Sequence, residues 1–272
     1  MARPLRRAPL CRAQLSADAS AAHKRAAAKL LVDTYIKPGF VLGLGSGELV
    51  NLTIAEVGIR IAQGRLNGVT AVPSCTAAAA QAAFNGVPLT TLEGDTKIDI
   101  GFEEVDQLDA SANAAIMGTD QEPQQPQIAI AQMLACKAKT FVVLVNSENV
   151  VPRLKGTLPV VVVGETWEAA GEELDDVFIG DAELWRRSNT DEDRTNPRGG
   201  DDPYESGQGD NILDIRFDGT FKLFGEEESY EKILDEIEGV DGVVAHGLLL
   251  HTAHAAVVAK EGAEPELVTL KK

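Results

Sequence analysis

Residues 41–50 read VLGLGSGELV. An apolar run, Val41-Leu42-Gly43-Leu44, enters a glycine-rich turn at Gly45-Ser46-Gly47, and a helix-like segment follows. In α/β proteins, strand, glycine turn and helix in this order bring backbone N–H groups and the positive end of a helix to one point. Such folds cradle phosphate in this way. One residue works against that reading: Glu48 places a carboxylate directly after the last loop glycine, where it would repel a bound phosphate. The stretch is either a working phosphate site or the shell of one.

The pattern on either side sets the fold class. Residues 18–36 read as an Ala-rich helix capped near Asp18 or Ser20. Strand 39–44 and helix 48–64 follow, then strand 68–74, helix 75–84 and a further strand over PLTTL, 88–92. IDIGFEEVDQLD (98–109) alternates at Ile98, Ile100 and Phe102, the pattern of a strand with one buried face. Residues 127–138 are helical in pattern, and TFVVLVN (140–146) reads as a fully buried strand. This βαβα rhythm predicts an α/β protein with a Rossmann-like, doubly wound sheet and a mainly parallel centre.

After LPVVVVG (158–164) the composition shifts. Acidic runs dominate, with short helices expected over 165–173 and 226–238 and a strand over 211–218. Between them, residues 188–210 are polar and rich in Gly, Asp and Pro, the composition of a long solvated loop. Strand-like stretches return at 253–259 and 266–270. The expected organisation is a basic leader over 1–17, an α/β main domain of 18–155 plus 249–272, and a smaller inserted α+β domain over 156–248.

Composition narrows the function classes. With 44% hydrophobic and 25% charged residues, the chain has the balance of an ordinary soluble globular protein. No apolar run approaches the ~18–20 residues that span a bilayer, so no membrane insertion is expected. The widely spaced Cys11, Cys75 and Cys136 form neither a disulfide framework nor a metal cluster, which suits a reducing compartment. The net charge of −17 is uneven, because residues 1–17 carry four arginines and no acid. Such a leader resembles an organelle transit peptide; a basic tail with no address has the same composition. The acidic remainder argues against nucleic acid and against adhesion to anionic membranes.

Five segments in order carry a family resemblance: YIKPGFVLGLGSGELV (35–50), AVPSCTAAA (71–79), VNSENVVPRLKGTLPVVVV (145–163), GQGDNILDIRF (207–217) and EGVDGVVAHGLLLHTAHAAVV (238–258). Together they resemble ribose-5-phosphate isomerase, type A, from about residue 20 to the C-terminus. GDAELWRR (180–187) is similar to the plant-plastid branch of that family, which agrees with a plastid leader. The resemblance implies an aldose–ketose isomerase that needs no metal or cofactor. A glutamate takes the proton beside the sugar carbonyl, aspartates and a lysine orient the sugar, and a Gly/Thr/Ser loop holds the 5-phosphate.

Carried over residue by residue, that machinery thins out. Gly43, Gly45 and Gly47 match the loop, and Ser46 takes a threonine place, but Glu48 and Leu49 replace hydroxylic residues. The family's Asp-Gly-Ala-Asp-Glu motif falls on DASAN, 109–113, where Asp109 alone keeps an acid and Ala112 and Asn113 replace the others. Its lysine and glycine triplet fall in 117–127, its catalytic glutamate near Ile130 and its second lysine on Glu148. No Lys or Arg lies between Lys97 and Lys137, where Glu103, Glu104, Asp106, Asp109, Asp120 and Glu122 sit. Asp120 or Glu122 could replace the base, and Arg153 and Lys155 are the nearest candidate cations.

The reading is a non-catalytic binding or assembly protein on an isomerase fold, with a protein partner or a second copy of itself. A sugar phosphate or another small anion is the ligand class. The alternative is a working isomerase with relocated residues. Ser74 and Thr76 either bind an anion or cap helix 75–84, and Asp109 serves either as a vestigial site acid or as a turn residue. Cys75 starts that helix as a favoured thiolate or a small packing residue. His246, His251 and His254 are strand ends or surface positions rather than a metal site, and Trp167 and Trp185 are packing or interface residues.

Overall fold

The computed structural model describes residues 12–92, 97–119, 127–190 and 196–271, with the backbone alone over 12–21. Helix α1 (Arg12–Tyr35) leads into β1 (Val41–Leu44), α2 (Glu48–Ala62), β2 (Thr70–Pro73) and α3 (Thr76–Phe84). Then come β3 (Ile98–Glu104), the short β4 (Gln107–Asp109) and β5 (Ala114–Ile116), α4 (Ile128–Lys137) and β6 (Ala138–Asn146). The second half begins with β7 (Lys155–Val162), α5 (Trp167–Val177), β8 (Ala182–Arg186) and β9 (Asn211–Thr220). A ribbon of β10 (Lys222–Leu223) and β11 (Glu226–Glu227) precedes α6 (Tyr230–Glu238). The last strands are β12 (Val243–His246), β13 (Leu248–Leu250), β14 (Ala255–Ala259) and β15 (Glu266–Thr269).

Six strands form the main sheet in the order β15-β14-β6-β3-β1-β2. All pairings are parallel except that of β15, an antiparallel edge. The chain moves outward from β1 to β2 on one side and from β3 to β6 on the other. The winding therefore reverses between β1 and β3, where an open α/β sheet leaves a crevice at the carboxyl ends of its strands.

The continuous apolar run of β6 is explained by burial on both faces. Val142 and Leu144 pack with Leu31 of α1 and Ile54 of α2, while Phe141, Val143 and Val145 pack with Ile128 and Ala131 of α4. Central parallel strands read as unbroken hydrophobic runs for this reason. β14 divides in the same way, with Val257 on the first face and Ala256 and Val258 on the second.

A four-stranded antiparallel sheet, β12-β7-β9-β8, forms a second layer. Leu158, Val160 and Val162 pack with Leu174 of α5 and with Ile233 and Ile237 of α6. Val161 and Ile212 face the other way, into the core beneath β6 and α4. A three-stranded sheet, β13-β5-β4, joins segments from both halves of the chain.

Several local expectations need correction. The helix expected from residue 18 begins at Arg12, so part of the basic leader is helical backbone; Cys11 and the residues before it lie outside the described residues. PLTTL forms no ladder: Leu89 makes an isolated bridge to Ala71, and Pro88 has no N–H to offer. Residues 98–109 are two strands, and β3 is buried on both faces because it is central. The polar segment 188–210 is more than a solvated loop, for Tyr204 and Ser188 are buried, and Ser188 bridges to Pro203. Asn189 bonds Asp202 and the Pro203 carbonyl. Residues 191–195 of that segment lie outside the described residues.

One buried ion pair ties the layers together. Arg187 donates through Nε to Asp214 Oδ2 at 3.0 Å and through Nη2 to Oδ1 at 2.5 Å. Its Nη1 donates to the carbonyl of Gly118 at 2.8 Å. Both side chains are almost wholly buried, at 1% and 0% exposure. Removing one partner strands a charge without water, so Asp214→Ala should cost about 3–5 kcal/mol in urea unfolding. Arg187→Met combined with Asp214→Leu should recover part of that loss.

Candidate functional site

The crevice between β1 and β3 holds a cavity of about 600 Å³. Its walls come from the loop after β1, the end of β3, the Met117-Gly118 turn and the start of α4. Parallel register sets Gly43 opposite Gly101 and Leu44 opposite Phe102. The next residues of the two strands therefore run side by side, which brings Glu103 and Glu104 against the glycine loop.

The contact is intimate. Glu103 Oε1 accepts from Ser46 N at 2.7 Å and from Ser46 Oγ at 3.1 Å. Glu104 Oε2 accepts from Leu49 N, in the first turn of α2, at 2.7 Å. A Cβ added at Gly45 would lie 2.3 Å from Glu103 Oε2, and one at Gly47 would lie 2.3 Å from Glu104 Oε2. Gly47 also holds φ at +110°, which disfavours any side chain. Both loop glycines are thus required by the acids they face.

More carboxylates complete the wall. Glu48 lines the cavity and pairs with Lys24 of α1 at 2.5 Å. Asp106 lines it too, and its Oδ2 accepts from Thr119 N at 2.8 Å. On the α4 side the wall is apolar, formed by Ile128 and Ala131. Among the described residues, no Lys or Arg lines the cavity.

Burial and neighbouring acids raise the proton affinities of Glu103 and Glu104 far above the usual carboxylate range. Loss of solvent pushes Glu103 up to about 8, opposed by the two bonds from Ser46 and reinforced by Asp106 and Glu104. Loss of solvent likewise pushes Glu104 up to about 7, with the Leu49 amide and Lys24 pulling down and Glu48 and Asp106 pushing up. Such proton affinities near neutrality are those of a general acid or base.

The residues singled out from sequence are distributed unevenly around this site. Gly43 ends in the sheet, while Ser46 and Gly47 line the cavity. Asp109 does not line it. Its carboxylate is buried, closing a turn on Ser111 and Ala112 and accepting from the Tyr230 hydroxyl at 3.0 Å. The acids that face the loop stand six residues earlier, and Glu103 and Asp106 have the same three-residue separation as the two aspartates of Asp-Gly-Ala-Asp-Glu. That spacing is the signal in the sequence that could have found them.

Asn113 is also buried, with its amide donating to the carbonyls of Ala253 and Lys271. Ile130 lines a neighbouring cavity of about 650 Å³, together with Ser74, Cys75 and Thr76. The cap of α3 is Cys75, whose Sγ accepts from Ala78 N, rather than Ser74 or Thr76. Glu148 sits on a short helical turn, and its neighbour Asn149 reaches the first cavity. Arg153 is engaged elsewhere, paired with Glu227 and stacked over the Tyr230 ring, and Lys155 is exposed. Asp120 and Glu122 lie outside the described residues.

The histidines separate. His246 is buried beside Glu238 and Gln132, and burial pulls its pKa down; His251 pairs with Glu231, and His254 accepts from Phe141 N. Among the described residues, no three His, Cys, Asp or Glu gather as a metal set. Trp167 and Trp185 lie under Arg186 and Arg216.

The family model for ribose 5-phosphate isomerase A (phosphoriboisomerase A) matches residues 70–263. The chain belongs to this family. It is 30% identical over 237 residues to a ribose-5-phosphate isomerase A of Synechococcus sp. WH7803, covering 86% of this chain and 90% of that one. The ribose 5-phosphate isomerase A structure from Methanocaldococcus jannaschii superposes with a TM-score of 0.75 at 25% identity, covering 92% and 99% of the two chains. A D-ribose-5-phosphate isomerase structure in complex with phospho-erythronic acid shares the fold, with a TM-score of 0.76 at 22% identity over 92% and 98%. The Rossmann-like α/β architecture with a smaller second unit is therefore that of the isomerase family.

The proton affinity of Glu103 predicts how stability varies with pH. Its folded pKa lies above the ordinary 4.5, so its protonated form contributes stability that is fully present below about pH 4.5 and is lost as pH rises through about 8. Glu103→Gln should match the wild type near pH 4. At alkaline pH it should be more stable, by up to about 5 kcal/mol. Thermal unfolding of both proteins across that range checks the sign.

Proposed function

We propose that this member of the isomerase A family does not interconvert ribose 5-phosphate and ribulose 5-phosphate, and acts as a non-catalytic binding or assembly subunit. The observation that carries the reading is the charge of the crevice. Glu48, Glu103, Glu104 and Asp106 line it, α4 adds an apolar wall, and no Lys or Arg lines it among the described residues. Isomerisation of a phosphosugar passes through an enediolate while the substrate already carries a dianionic phosphate. Two like charges ~4 Å apart near a protein surface repel by ~4 kcal/mol, and here the crevice presents a wall of carboxyl groups with Lys24 as the neighbouring cation among the described residues.

Removing electrostatic stabilisation of the developing charge costs ~10²–10³ in rate, and removing a positioned base costs a further ~10²–10⁴. Purified protein in a coupled ketose assay should therefore fall at least about 10⁴-fold short of ordinary enzyme turnover, ~1–10³ s⁻¹. Glu48→Thr should leave it inactive, since threonine supplies neither base nor cation. Turnover in the ordinary range would overturn the reading. It would favour a second one, an active isomerase with relocated residues, for which the near-neutral proton affinities of Glu103 and Glu104 speak.

The same proposal includes a protein partner or a second copy of the chain, since a family fold without family chemistry retains only its surfaces and its crevice. It places the protein in the plastid, on the strength of the acid-free, arginine-bearing residues 1–17. N-terminal sequencing of the native protein tests that placement; an uncleaved Met1 would count against it. No helix among the described residues is long and apolar enough to cross a membrane.

A further inference from the structure

We infer that the Glu103 and Glu104 carboxyl groups fill the phosphate position of the fold, taking its amide donors and its space, and that they make the crevice reject phosphorylated ligands. This deepens the non-catalytic reading, on which it rests, by naming the residues that set ligand class. A phosphate at a glycine loop is held by backbone N–H donors and by close approach of its oxygens to backbone that lacks side chains. Both resources are already used here. The Ser46 and Leu49 amides donate to Glu103 and Glu104 at 2.7 Å each. The spaces beside the Gly45 and Gly47 Cα atoms, which a ligand oxygen would need, hold carboxylate oxygens of the same two residues.

The glutamates are held where they are. Glu103 is bonded twice by Ser46 and is almost wholly buried, at 3% exposure. For Glu104 to swing into the cavity it would have to approach Glu48 and Asp106, which face it there. Lys24, the cation facing this group of acids, is paired with Glu48. An incoming phosphate would thus have to displace two carboxyl groups from the bonds they accept and from the space they fill. Acidification neutralises the glutamates but leaves them in place, so protonation opens the cradle less than truncation does.

The test follows the cradle amides directly. The ¹⁵N-labelled full chain is titrated with inorganic phosphate, and shifts of the Ser46, Gly47 and Leu49 amides are read. Wild-type amides should stay still. Glu103→Ala with Glu104→Ala should give saturable shifts, with a Kd lower by at least about tenfold than any wild-type value. Glu103→Gln with Glu104→Gln keeps shape while removing charge, and should fall between the two. It also serves as the deciding variant should the alanine pair fail to fold. Wild-type protein that binds phosphate at these amides as tightly as the variants would overturn the inference. So would silence of the folded glutamine pair. Phosphate binding by wild-type protein without turnover would sink this inference alone, whereas turnover would sink the non-catalytic reading.

Discussion

The carboxylates of Glu103 and Glu104 reach from the end of β3 to the amides of Ser46 and Leu49, and the arrangement of the crevice depends on that contact. It arises from register. Once Leu44 lies beside Phe102, the continuing chains run together, and a side chain from one must cross the backbone of the other. Glycine at 45 and 47 removes the obstruction, and the first turn of α2 supplies a donor that would otherwise need water or a ligand. The same crossing buries Glu103 and half-buries Glu104, which raises their proton affinity and reduces what the loop can offer to an anion. A loop that looks like a phosphate cradle in sequence is thus satisfied from within.

Around this contact the fold is conventional for its family. The parallel centre is buried on both faces by α1 and α2 on one side and α4 on the other, with β6 and β14 sending alternate side chains to each. Burial of this kind is the main stabilising term in such a domain and is indifferent to the chemistry of the crevice. That indifference leaves the polar residues at the mouth of the crevice to be set by their own local bonds. Asp109 and Asn113 lie away from the crevice and make structural hydrogen bonds.

Much of the sheet was legible in the sequence because burial on two faces leaves an unbroken apolar run, and VLGL and FVVLV show it plainly. The crevice acids were less legible. Glu103 and Glu104 sit at the end of a strand pattern, where alternation says which face is buried but not that the next residue meets a loop from another strand. DASAN carries one acid of the motif, while Glu103 and Asp106, six and three residues before Asp109, carry the spacing of its two aspartates and face the loop. Residues 188–210 misled through composition, since a polar segment can still bury Tyr204 and Ser188 once backbone bonds anchor it. The start of α1 at Arg12 was hidden because arginine and alanine suit a helix as well as a transit leader.

Arg187 has a mechanical consequence. Its guanidinium clamps β9 through Asp214 with one edge and grips the Gly118 carbonyl with the other. Gly118 is part of the crevice wall, so that wall and the antiparallel sheet behave as one jointed piece. A shift of β9 must carry the Met117-Gly118 turn with it or break a desolvated ion pair. Force applied to the far sheet therefore reaches the crevice through a short, stiff lever, and any molecule wedged in the crevice pushes back along the same lever by the reciprocity of linked equilibria.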